Sequence, residues 1–129
     1  MKANQTLNKI FEEHKAGKDI MPLLNKFAKK AVPIKNKRDE SWETGAQNLF
    51  KAVVLSMLDS EKTAETFTVE KIKEVCAMGN FGDNRQETLL AYFKKQSLEC
   101  RRLADAVLNN APTTTKSYLG VLFNYLNRL

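Results

Sequence analysis

Apolar residues recur along most of the chain at spacings of three and four, the period of an α-helix, and strict alternation is almost absent. Leu7, Ile10, Phe11 and His14 define one face of a first helix, which Gly17 ends. Ile20, Leu23, Leu24, Phe27, Ala28 and Ala31 define a second. Asp19 stands at its N-cap, and Pro22 falls in its first turn, where a missing N–H costs little. Pro33 then breaks the chain, and IKNKR follows as a basic linker.

The next segment, SWETGAQNLFKAVVLSML at 41–58, is the most apolar. From Leu49 to Leu58 only Lys51 and Ser56 are polar. A helix apolar round nearly its whole circumference is buried on several sides, so this one is predicted to be the hub of the fold. Trp42, Ala46, Leu49, Phe50, Val53 and Met57 continue one stripe down it. Trp42, the only tryptophan, reads as a packing residue that closes the end of the core. Asp39, Glu40 and Glu43 cluster at the helix start, where carboxylates suit the positive end of the dipole, and either Ser41 or Asp39 can cap it. Gly45 and Ala46 leave room for a neighbouring backbone.

Thr68 caps a fourth helix with Val69, Ile72, Val75 and Cys76 inward and Gly79 as its stop. GNFGDN is a loop, and Asp83 opens a fifth helix with Gln86 as capping-box partner and Leu89, Leu90 and Phe93 inward. Ser97 caps a sixth with Cys100, Leu103, Ala104, Val107 and Leu108 on one face; a single bent helix through both stays open. Pro112 and the Thr113–Thr115 run break the chain before a last helix carrying Leu119, Leu122, Phe123, Leu126 and Leu129. The expected fold is all-α: a compact bundle of six to seven helices around a buried central helix at about 41–58, in one domain spanning 1–129.

Charge adds an asymmetry. Residues 1–38 hold ten Lys/Arg against three acids, and the remainder holds eleven against twelve. A basic N-terminal part of this kind suits an acidic partner, nucleic acid being the commonest, although a well-solvated surface is the plainer reading. Lys26, Lys29, Lys30, Lys35, Lys37 and Arg38 form the densest positive stretch and are candidate nucleic-acid contacts, with Arg101, Arg102 and Lys116 further on. The pair Arg101 and Asp105 at i, i+4 also reads as routine surface pairing. No stretch approaches the roughly 20 apolar residues of a membrane span, and the N-terminus lacks the apolar core of a signal peptide, so the chain reads as soluble and cytoplasmic.

Catalytic patterns are sparse. His14 is the one histidine, on an apolar face with no triad or metal partner in view, and reads as structural. Glu70 and Glu74 share a face but neighbour Lys71 and Lys73, which describes a solvated surface. No phosphate loop occurs, and ordinary helix capping accounts for Thr113, Thr114, Thr115 and Lys116 better than anion binding does. Cys76 and Cys100 have no ligand spacing that suggests zinc; they read as buried thiols, with one disulfide left open. The residues describe a helical binding module rather than an enzyme, with no metal and no cofactor.

The succession SWETGAQNLFKAVVLSMLDSE, FTVEKIKEV, LLAYFKKQS and TTTKSYLGVLFNYLNRL resembles the type IV coupling proteins of conjugation and type IV secretion, the TraG/TraD family, over roughly residues 39–129. In that family a Trp-led helix begins an all-α domain inserted in a RecA-like ATPase. Trp42, Glu43, Ala46, Leu49, Ala52 and Leu58 fit this helix; Phe67, Thr68 and Val69 fit the start of the next; Lys116, Ser117, Leu119 and Leu126 fit the closing one. The resemblance implies an excised insertion domain, itself without nucleotide motifs, whose parent is a membrane-anchored hexameric ATPase at the cytoplasmic face of the cell membrane. It implies recognition of transferred cargo: relaxase, relaxosome accessory proteins and the DNA they carry. The isolated domain is then expected to be a soluble monomer, with the loop and helix start at Phe81, Asp83, Asn84 and Arg85 as candidate partner-binding surface. The alternative is a stand-alone helical nucleic-acid-binding protein.

Overall fold

Helices occupy the segments where apolar residues recur every three to four positions. The structure is a computed structural model that describes residues 2–34, 40–60, 63–77, 91–93, 96–108 and 112–129. For residues 2, 40–42, 64, 99, 106–108 and 112–117 it describes the backbone alone. The helices are α1 (Lys2–Lys15), α2 (Met21–Ala31), α3 (Glu40–Ser60), α4 (Val69–Ala77), α5 (Leu98–Leu108) and α6 (Pro112–Leu126), with a 3-10 turn at Ala64–Thr66. Residues 91–93 are helical as well, and no strand occurs among the described residues. The fold is all-α.

The hub is α3. Every residue from Leu49 to Leu58 except Lys51 is buried. The helix packs against α2, α4, α5 and α6, most extensively α5 and α6, while α1 packs on α2, α4 and the 3-10 turn. Ala46, Leu49, Phe50, Val53 and Met57 lie in the core, and Phe50 meets Phe27 of α2 edge-on at 5.2 Å. Phe11 meets Phe67 at 5.5 Å on the α1 side. The Trp42 side chain lies outside the described residues.

Helix ends follow local chemistry. Gly17 takes a φ of +78°, and Lys18 N–H donates to the Glu13 carbonyl while Gly17 N–H donates to that of His14, a Schellman closure of α1. At α2 the N-cap residue is Ile20, one position beyond the expected Asp19. The Asp19 carboxylate still accepts the Met21 N–H at 3.1 Å. Thr68 caps α4 through the Lys71 N–H. Ser97 caps α5, its Oγ accepting the Cys100 N–H, and the non-helical Gln96 and Ser97 divide α5 from the helical residues 91–93. Two helices stand here, not one bent helix.

Three expectations need correction. Pro112 opens α6 rather than breaking the chain ahead of it, because its absent N–H is one of the donors a first turn leaves unused anyway. Gly45 makes room for the Tyr118 ring, not for a backbone. His14 is exposed in the last turn of α1, beside a cleft of about 260 Å3 that Lys18, Asp19 and Asp59 also line, and is not part of the apolar face.

Candidate nucleic-acid interface

Burying Leu24, Phe27, Ala28 and Ala31 fixes the rotation of α2. Lys26, Lys29 and Lys30 are left exposed on its outer side at i, i+3 and i+4, one continuous ridge. The two flanks of the ridge meet different neighbours. On one flank, Lys30 and Lys9 of α1 line an open groove of about 530 Å3, with Ala3, Phe27 and Leu129 supplying its apolar surface and Thr6 a hydroxyl. On the other, Lys51 of α3 donates from Nζ to Asn25 Oδ1 at 3.1 Å. Burial, with the nearby Lys29 charge adding to it, holds the Lys51 ammonium below the usual lysine range. Cations from three helices thus border one face.

Lys9 and Lys51 are functional candidates that charge density along the sequence does not single out. The signal for Lys51 was present, since it is the one Lys or Arg between Glu40 and Ser60. For Lys9 no local signal exists; its place depends on how α1 packs on α2. Arg101 and Arg102 are exposed on α5, an element separate from the ridge, and no ion pair joins Arg101 to Asp105. Lys116 lies in α6 with its side chain outside the described residues. Lys35, Lys37 and Arg38, and Phe81, Asp83, Asn84 and Arg85, lie outside the described residues altogether.

The buried polar groups serve packing. Glu43, expected at the helix dipole, is buried, and the Tyr125 hydroxyl donates to its Oε2 at 2.9 Å with the Pro33 carbonyl 3.4 Å from the same hydroxyl. Gln47, one turn on, donates from Nε2 to the Val32 carbonyl at 2.6 Å. Together they fasten the exit of α2 onto α3 and α6. Tyr92 donates to Ser56 Oγ at 2.9 Å, and Ser56 donates to the Val53 carbonyl; burial raises the Tyr92 phenol above its ordinary range. Cys76 and Cys100 are both free and buried, which removes the disulfide alternative. Burial pushes each thiol up to about 12, the Asp59 charge adding to the effect at Cys100, so neither is a thiolate nucleophile near neutral pH. Cys100 Sγ lies 3.1 Å from the Ala52 carbonyl, to which it donates. Glu70 is exposed, and Glu74 pairs with Lys71 at 3.7 Å on the surface.

Comparison with protein-family models, with curated proteins and with solved structures returns no match to this chain.

Proposed function

We propose that this chain is the cargo-recognition domain of a conjugative type IV coupling protein, docking relaxase and relaxosome accessory proteins together with the DNA they carry. One observation carries the reading. Of the residues that bear the resemblance, Ala46, Leu49, Ala52, Leu58, Phe67, Val69, Leu119 and Leu126 are all buried in the hydrophobic core. They come from separate segments and meet in one core, as an ordered set of fold-determining positions should. Among the described residues, the lysine ridge of α2 with its groove offers partners a face where cations border apolar surface. That mixture suits a protein partner bearing both acidic and apolar groups, and its cations suit phosphates.

The parent would be a hexameric ATPase anchored in the membrane, with this domain on the cytoplasmic side. Among the described residues no helix is long and apolar enough to cross a membrane. The lysine ridge also favours a second reading, a stand-alone helical nucleic-acid-binding protein. Capture of purified relaxase and accessory protein by this domain, with and without DNA and across a salt series, separates the two. Docking that persists without DNA at high salt supports cargo recognition. Capture that needs DNA and collapses with salt supports the second reading.

A further inference from the structure

We infer that Asn25, Lys29 and Lys51 form a binding site for a phosphate-type oxyanion at the seam between α2 and α3. The inference deepens the DNA half of the proposed function and rests on that reading only for the source of the phosphate.

Lys51 occupies an unusual place. Its neighbours from Leu49 to Leu58 are all buried, and an apolar residue in its position would extend the core stripe. It instead brings a half-buried ammonium to the seam, where Asn25 Oδ1 holds it at 3.1 Å. With that oxygen committed, the Asn25 amide nitrogen remains as a donor. Lys29 follows Asn25 by one helical turn on the same face and lies close enough for its charge to act on Lys51. Among the described residues no carboxylate forms an ion pair with either lysine. The Lys29 charge disfavours the charged form of Lys51, and an anion between the two reverses the sign of that interaction. Two cations and an amide N–H group match the several acceptor oxygens of a tetrahedral phosphate. The exposed Lys26 and Lys30 continue the same ridge, which suits a polyanion running past the site.

The test follows the side-chain amide of Asn25 by NMR while the 129-residue chain is titrated at low salt with inorganic phosphate, and separately with a short mixed-sequence DNA duplex. Lys51→Gln and Lys29→Gln are compared with Lys73→Gln, on α4 and outside the ridge, and thermal unfolding checks that each variant folds. Lys29 is exposed, so its variant keeps the test valid if Lys51→Gln unfolds. Both anions should move the Asn25 amide in wild type and in Lys73→Gln, and the response should be lost in Lys51→Gln and Lys29→Gln. Each of these two should also lower the slope of log affinity against log salt for duplex DNA by about 0.9. A response to inorganic phosphate without any DNA binding upholds the site and removes DNA as its source. DNA binding that leaves the Asn25 amide unmoved overturns the site while the DNA reading stands. Silence toward both anions overturns the site as well.

Discussion

A Cβ added at Gly45 would run into the ring of Tyr118, so this glycine sets how closely α6 can approach α3. Two effects oppose each other at the position. Replacing an interior helical glycine by alanine favours the helix by about 1 kcal/mol. Forcing an extra carbon into a packed contact costs about 1–3 kcal/mol. The ring is partly buried and packs against the core, so the second effect should win. Gly45→Ala is expected to lower stability in urea denaturation, and the same change should raise it in a Tyr118→Ala background, where the obstruction is gone. A stabilising Gly45→Ala in the wild-type chain would refute the close approach. The sequence shows the glycine but not its partner, which lies 73 positions on. The same limit explains Glu43. A carboxylate in a first helical turn ordinarily serves the dipole, and only the tertiary fold brings the Tyr125 hydroxyl to it.

At the scale of elements, the join between α3 and α5 can be tested through two side chains. Asp59, at the end of α3, accepts the Ser97 N–H at 3.1 Å, and Ser97 Oγ caps α5 at the Cys100 N–H. Ser97→Ala should cost about 1 kcal/mol, the usual worth of a serine cap. Asp59→Ala should also destabilise, and the two changes together should cost less than their sum, because each weakens the same join. Strict additivity in a double-mutant cycle would show that the two bonds act independently. Ser97, Thr68 and the Gly17 closure were legible because capping depends on residues within a few positions. The buried hub was legible because ten consecutive residues with two polar members leave a helix no solvent face. Pro112 was not, since proline marks the position after one helix and the first position of another equally well. Nor was His14, whose spacing from Leu7 places it on the apolar face although it stands exposed in the last turn of α1.

For the whole molecule, the buried thiols report on global opening and the lysine ridge on partners. Cys76 and Cys100 should react with a disulfide reagent at pH 8 only as fast as the protein opens, and fully once it is denatured. Their pKa values are raised, so the folded state keeps a proton that the unfolded chain releases above about 8.5. The stability this contributes is present below that pH and is lost as pH climbs toward about 12. Lys51, whose pKa is lowered, acts with the opposite sign in part of the same range, so the comparison that isolates the thiol is wild type against Cys76→Ala. The variant should lose less stability between pH 9 and 12; parallel curves would mean that the thiol titrates alike in both states. The ridge invites a charge reversal. Lys29 and Lys30 are exposed and lie on opposite flanks, one toward Lys51 and the other toward Lys9. Lys29→Glu with Lys30→Glu should therefore leave the fold intact, with stability changed by about 0.5 kcal/mol or less for each. If both lysines neutralise phosphates, duplex DNA binding should weaken at every sequence tested, and the salt slope should fall by about 0.9 for each contact removed. Sequence-independent loss is the signature that matters, because phosphate contacts position a protein without reading bases. Unchanged affinity and slope would assign these lysines to solubility or to an acidic protein partner. Relaxase docking that survived the same reversal would place the protein contact away from α2, leaving the ridge to DNA alone.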